Sequence, residues 1–268
     1  MPKNSVVITS AIRTAVGSLN KSLKSIPSHI LGSSVISKSI IKSNLQIEDI
    51  DEVILGQVLT GGAGQNPARQ ASIHSGIPKE KPAYIVNQVC GSGIRSIASG
   101  FQSIKAGDSK IVIAGGQENM SLAPHAIHLR EGKKLGDAEI LDTMIKDGLW
   151  DAFHGYHMGI TAENVAEKFQ ITREEQDKFA IRSQQKALDA QKQNRFNDEI
   201  INFKIKSKQA ETNFNKDEHP REGITLESLL RLKPVFKKEG TVTAGNASGI
   251  NDGAAAVALM LDSEAEKR

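Results

Sequence analysis

The sequence holds one cysteine, Cys90, and its neighbours give that thiol a setting in which it can act. Ala83 to Val89 reads as a strand, Cys90-Gly91-Ser92-Gly93 follows at once, and a helix begins near Ile94 with Ile94, Ile97, Phe101 and Ile104 at helical spacing. The sulfur is therefore predicted to sit on a sharp turn at a helix N-terminus. Unpaired NH groups and the positive end of the helix dipole favour a thiolate there, and the thiolate is the nucleophile. Gly91 and Gly93 leave room for a thioester to approach the backbone, and the NH groups of the turn are placed to hold a developing oxyanion. Against this stands the commoner fate of a free cysteine, a small buried hydrophobe. Spacing alone leaves both readings open.

Other candidate groups carry less. His154 and His157 stand three apart, as do His125 and His128, but no carboxylate or cysteine completes a ligand set at a recognisable spacing, so no metal is expected. Gly61-Gly62-Ala63-Gly64 lacks both the full dinucleotide fingerprint and the lysine of a nucleotide-triphosphate loop, and reads as a flexible turn leading to Asn66-Pro67.

The elements that must position Cys90 alternate. Val6 to Ala11 reads as a strand, and His29 to Ser43 as a helix with Leu31, Val35, Ile36, Ile40 and Ile41 on a buried stripe. Glu52 to Leu59 is a strand; Asn66 caps and Pro67 opens a short helix over 68–75, with Gly76 at its stop. Lys110 to Ala114 is another strand. Strands alternating with helices over 1–116 indicate an α/β layered domain. From Gln117 to Thr241 apolar runs are few and charges many, with two helices expected near Thr161 and after Thr172, the latter opened by the capping box Thr172-Arg173-Glu174-Glu175. We expect 117–241 to be a loop domain inserted in a core formed by 1–116 and 242–268. Ala254 to Leu261 resumes the strand pattern, and Ser263-Glu264-Ala265-Glu266 begins a helix in which the sequence reads as interrupted.

Composition sets the broad class. With 268 residues, 38% hydrophobic and 24% charged, the chain is long enough for a sizeable core. A net charge of +3, with basic residues scattered, signals neither nucleic acid nor a membrane surface. A lone cysteine excludes an internal disulfide framework and fits a reducing compartment. Met1-Pro2-Lys3-Asn4-Ser5 runs into an apolar stretch too short for a signal peptide, and no segment approaches the roughly 20 apolar residues of a membrane span. The expected location is the cytoplasm.

Asn87-Gln88-Val89-Cys90-Gly91-Ser92-Gly93-Ile94-Arg95-Ser96, with Ala114-Gly115-Gly116-Gln117-Glu118-Asn119-Met120-Ser121, closely resembles the active-cysteine region of thiolases. Gly155-Tyr156-His157-Met158-Gly159 and Thr161-Ala162-Glu163-Asn164 resemble the loop-domain signature of that family, and the stretch from Gly240 to Ala256 the segment returning to the core. The resemblance covers essentially the whole chain. The His-Met pair after Tyr156 is similar to the biosynthetic, acetoacetyl-forming subgroup.

The resemblance implies a layered α/β fold, here its N-terminal half, a mixed sheet with helices on both faces plus the inserted loop domain. It implies acetyl-CoA C-acetyltransferase activity, two acetyl-CoA giving acetoacetyl-CoA and CoA, through an acyl-Cys90 thioester. Leu149, His157 and Met158 would line the pantetheine and acyl tunnel, Arg221 and Ser228 the adenine end, and Phe236, Ala244, Ser248 and Gly249 the coenzyme A channel. Without the resemblance, Arg221 beside Glu222 reads as a solvated surface pair and Phe236 after Pro234 as a packing anchor. No cofactor is implied, since coenzyme A thioesters are substrates, and a homo-oligomer, dimer or tetramer, is.

The family's second half supplies a histidine in Gly-His-Pro, a second cysteine in Cys-x-Gly and an Asn-Glu-Ala-Phe segment; none of these motifs occurs here. A separately encoded C-terminal fragment acting in trans, a decayed remnant and a fragment of a longer chain are the three explanations. The alternatives to the acetyltransferase are a degradative 3-ketoacyl-CoA thiolase and a non-catalytic protein that keeps a coenzyme A-binding or self-association surface.

Overall fold

A computed structural model describes residues 4–206 and 211–268; residues 1–3 and 207–210, which the expected core and loop segments include, lie outside the described residues. In chain order the elements are β1 (Val6–Arg13), β2 (Gly17–Ser18), α1 (Ser28–Lys42), β3 (Glu52–Gly56), α2 (Pro67–His74), β4 (Ala83–Val86), α3 (Ser92–Ala106) and β5 (Ile111–Asn119). There follow β6 (His125–Ala126), β7 (Leu141–Asp142), α4 (Thr143–Gly148), α5 (Met158–Lys168) and α6 (Arg173–Lys192). The last are β8 (Phe203–Lys206), β9 (Glu211–Phe214), α7 (Leu226–Leu230), β10 (Asn251–Leu261) and α8 (Asp262–Ala265).

Two units emerge. The first takes the chain up to Pro124, Asn197–Asp217 and Asn251–Arg268; the second takes His125–Phe196 and Glu218–Ile250. The core thus reaches beyond residue 116 because β5 continues past Gly116, pairing as far as Asn119 with Asp252 of β10. It also recovers the β8–β9 hairpin from inside the expected insertion. Arg13 of β1 holds that segment, donating from Nε to Glu199 at 2.6 Å and from both terminal nitrogens to Asp217 at 2.7 and 3.1 Å.

In the first unit one sheet runs β1-β10-β5-β3-β4, with β2 paired to β10. The β1–β10 and β10–β5 pairs are antiparallel, whereas β5–β3 and β3–β4 are parallel. This is the expected mixed sheet. On the face covered by α1 and α2, Leu31, Val35, Ile36 and Ile40 pack with Val53, Leu55, Ile111, Ile113 and Met260. Ile41, expected on that stripe, is instead 68% exposed, at the penultimate position of α1. Asn66 caps α2 through the Arg69 NH at 3.0 Å, as anticipated.

The other face carries α3, and here spacing misleads about direction. The buried residues of α3 are Ser92, Ser96, Gly100 and Ile104, packed over Ile54, Val112, Ala114 and Leu259. Ile94 and Phe101, which share the apolar period, are 74% and 47% exposed. Small side chains bring α3 close to the sheet, and the larger ones are left on the outer side. At the chain's end, α8 starts at Asp262 rather than Ser263, with the Asp262 carboxylate accepting from the Ser263 NH at 2.8 Å.

Candidate active site

The turn that carries Cys90 is tied by its own polar groups. β4 ends at Val86, earlier than the expected Val89, because residues 87–91 are drawn into hydrogen bonds with one another. The Asn87 side-chain oxygen accepts from the Val89 NH at 2.9 Å; the Ser92 hydroxyl donates to the Val89 carbonyl at 2.6 Å and accepts from the Gln88 NH at 2.9 Å. The Gly91 NH donates to the Gln88 carbonyl at 3.0 Å. Together these hold Val89 at φ +47°, a left-handed conformation that a β-branched residue adopts only under constraint and that costs about 1–3 kcal/mol. Cys90 follows directly, exposed, at the entrance to α3.

Two contacts fix the start of α3 on the sheet. The Ser96 hydroxyl donates to the Gly115 carbonyl at 2.6 Å and accepts from its NH at 3.0 Å, joining helix to β5. Gly56, the last residue of β3, sits against the helix backbone: a Cβ there would lie 2.4 Å from the Ser92 carbonyl carbon and 2.5 Å from the Gly93 nitrogen. A Cβ at Gly93 would meet nothing within 4 Å, whereas one at Gly91 would lie 3.3 Å from the Gln88 carbonyl oxygen, so the room expected beside the thiol is present at Gly93.

Cys90, Ser92, Gly93, Gly56 and Gly116 line a cavity of about 390 Å³ with Arg13, Glu118 and Asp252. Glu118 accepts from the Val58 NH at 2.8 Å and from the Leu59 NH at 3.2 Å. Burial pushes its carboxyl up and the Asp252 charge adds to that, outweighing the two NH donors and leaving it at about 7. Asp252 is itself held by the Ser121 hydroxyl at 2.6 Å and NH at 3.0 Å. The motifs that contain Glu118 and Asp252 do not by themselves give either residue a role. The signal was present, an acidic residue closing the apolar strand Ile111–Gly116 two positions after a glycine pair.

The residues expected to bind coenzyme A all belong to the second unit, and the structure joins some of them directly. His157 caps α5, its Nδ1 accepting from the Gly159 NH at 2.9 Å, which puts the ring proton on Nε2. Its ring stacks on Phe236 at 4.7 Å and 18°. The Met158 NH donates to the Leu149 carbonyl at 2.8 Å. A Cβ at Gly159 would strike the Phe236 ring at 2.2 Å, so the glycine of that motif is what admits the ring. Arg221 and Ser228 are placed by other partners: the Arg221 NH donates to Gln184 at 2.9 Å, and Ser228 completes a capping box with Thr225. Ala244, Ser248 and Gly249 are exposed on the segment leading to β10. His154 is bound to Asp151 at 2.5 Å, and His125 lies 4.0 Å from Asp142.

Glu163, of the Thr161-Ala162-Glu163-Asn164 stretch, is the anchor of this unit. It is 4% exposed and accepts from the Thr241 NH at 2.9 Å, the Thr241 hydroxyl at 2.9 Å and the Val242 NH at 2.8 Å. Burial opposes its charge, but those donors together with the Lys237 ammonium outweigh it and hold the carboxyl below the usual carboxylate range. Its stabilising contribution is therefore complete above the unfolded carboxyl's pKa and lost as pH falls through the lower, folded value. Glu163→Gln is expected to cost about 1–3 kcal/mol at pH 7. Denaturant unfolding of both proteins at pH 7 and again at acid pH checks this: the gap must narrow on acidification.

The family model described as the thiolase N-terminal domain matches residues 6–263. This chain belongs to the thiolase family. It is 56% identical over 268 residues to the acetyl-CoA acetyltransferase of Rhizobium meliloti (strain 1021), covering all of this chain and 68% of that one. It is 54% identical over the same span to that of Shinella zoogloeoides, again covering 68% of the relative. The crystal structure of the Bacillus anthracis acetyl-CoA acetyltransferase superposes with a TM-score of 0.96 at 41% identity, covering 99% of this chain and 67% of the other. The chain thus spans about two thirds of the length of these thiolases, and the α/β thiolase fold and the acyltransferase family expected from sequence hold.

Proposed function

We propose that this chain carries out the acyl-uptake chemistry of an acetyl-CoA C-acetyltransferase. The Cys90 thiolate attacks the thioester carbonyl of acetyl-CoA, the carbon–sulfur bond to coenzyme A breaks, and coenzyme A leaves as a thiolate that takes up a proton. Acetyl-Cys90 remains, and in the complete reaction it is transferred to the carbanion of a second acetyl-CoA to give acetoacetyl-CoA. The observation that carries this reading is the exposed Cys90 on its constrained turn, at a glycine-lined cavity, in a chain 54–56% identical to proteins of that name. The thioester already activates the acyl group, so no cofactor is required.

The same reading gives coenzyme A to the second unit, with His157, Met158, Leu149 and Phe236 as its apolar wall and His157 Nε2–H as a donor. Arg221 and Ser228 would face the adenine end, with Ala244, Ser248 and Gly249 along the channel. The base and second cysteine of the family belong to the part of those thiolases that this chain does not span, and the exposed apolar residues Ile94 and Phe101 of α3 suit burial against further protein or in a homo-oligomer. Among the described residues no helix is long and apolar enough to cross a membrane.

Mass spectrometry of the purified chain after excess acetyl-CoA tests the reading. One added acetyl group, mapped to the peptide containing Cys90, is the expected result; an unmodified Cys90 in folded chain refutes it.

A further inference from the structure

We propose that this chain is also an acyl-CoA hydrolase, in which water releases the acyl group from Cys90 and Glu118 takes the water's proton. This rests on the acyl-Cys90 reading above and extends it to what happens next.

Cys90 is exposed, and its neighbours Val89 and Ile94 are 50% and 74% exposed, so water reaches an acyl group carried there. The charged groups facing Glu118 are Arg13 of β1, Asp252 of β10 and any Cys90 thiolate at the start of α3. Arg13 is engaged by Glu199 and Asp217, and Asp252 by Ser121. Glu118 accepts from the Val58 and Leu59 backbone NH groups and lines the same cavity as Cys90. With burial and the Asp252 charge holding it at about 7, it is present both as base and as acid at neutral pH, the condition that suits a proton shuttle. A carboxylate that is part-ionised at neutral pH can assist the attack of water on an acyl carbonyl.

The step balances. The water oxygen bonds to the acyl carbon while its proton passes to Glu118; the tetrahedral intermediate expels the Cys90 sulfur, breaking the carbon–sulfur bond; and Glu118 returns the proton to sulfur. Acyl-CoA and water give a carboxylic acid and free coenzyme A.

The test incubates the full chain with acetyl-CoA in ¹⁸O-enriched water and follows free coenzyme A, labelled acetate and acetyl-Cys90. Expected are several coenzyme A released per chain, ¹⁸O in the acetate, and a deacylation rate rising through about pH 7. Deacylation of whatever acetyl-enzyme forms in Glu118→Gln is expected to be at least ~10-fold slower and without that rise. Acetyl-Cys90 that accumulates to one per chain and persists overturns hydrolysis while leaving acyl uptake standing. Neither adduct nor coenzyme A release overturns acyl uptake itself. Glu118→Gln that deacylates as fast, with the same pH profile, removes Glu118 from the mechanism. Should that variant fail to load, the wild-type profile decides, and a flat one between pH 6 and 8 overturns the assignment.

Discussion

Cys90→Ser is expected to reduce acetyl uptake from acetyl-CoA at least ~10³-fold. A serine hydroxyl keeps the position and hydrogen-bonding reach of the thiol, but it is scarcely ionised at neutral pH, and the helix N-terminus cannot make up that difference. Stability is expected to change by no more than about 0.5 kcal/mol, because Cys90 is exposed. Intact-mass time courses of the two proteins, with circular dichroism to show both folded, supply the comparison. Uptake by the serine variant within ten-fold of wild type would transfer the acyl group to another residue and remove the chemical basis of both functional readings.

How far the sequence disclosed this site depended on which physical signal each part used. The apolar periods of α1 and of the strands were read because core burial imposes them, and the Asn66 cap and the Thr172 capping box because each needs only local geometry. The orientation of α3 was not legible in the same way. Periodicity shows that Ile94, Ile97, Phe101 and Ile104 share a stripe, but not which side meets the sheet; close approach centred the contact on Ser96 and Gly100, with Ile104 and Ile97 at its edge and Ile94 and Phe101 left outside. The extent of the core was hidden for a different reason. The β8–β9 hairpin is held through Arg13 with Glu199 and Asp217, pairs nearly 200 residues apart in a stretch whose charges look like solvated loop. Glu118 escaped likewise, because its environment is made by burial and then by the charge of Asp252, a residue that antiparallel register brings near: Gly253 stands opposite Glu118 and Asp252 opposite Asn119.

Gly56→Val is expected to destabilise the first unit by about 3 kcal/mol or more and, with it, to abolish acyl uptake. The backbone of Gly56 pairs with Val86 in β4 and Gly116 in β5, so the position cannot retreat without breaking the parallel ladder. Any Cβ there would come within 2.4 Å of the Ser92 carbonyl carbon, and because the obstacle is backbone, no rotamer change relieves it. The remaining route is to lift the N-terminus of α3. That movement would part the Ser96 hydroxyl from Gly115 and loosen the turn that holds Val89 at positive φ. Denaturant unfolding measures the first effect and acetylation at Cys90 the second. A compensating change at Ser92 is not expected to restore either, since the contact is with main-chain atoms common to every residue. Gly93 gives the contrast: its Cβ direction is open, so Gly93→Ala is expected to leave stability within about 1 kcal/mol of wild type. If Gly56→Val instead folds and acetylates like the parent, the close seat of α3 on β3 is not what places the nucleophile.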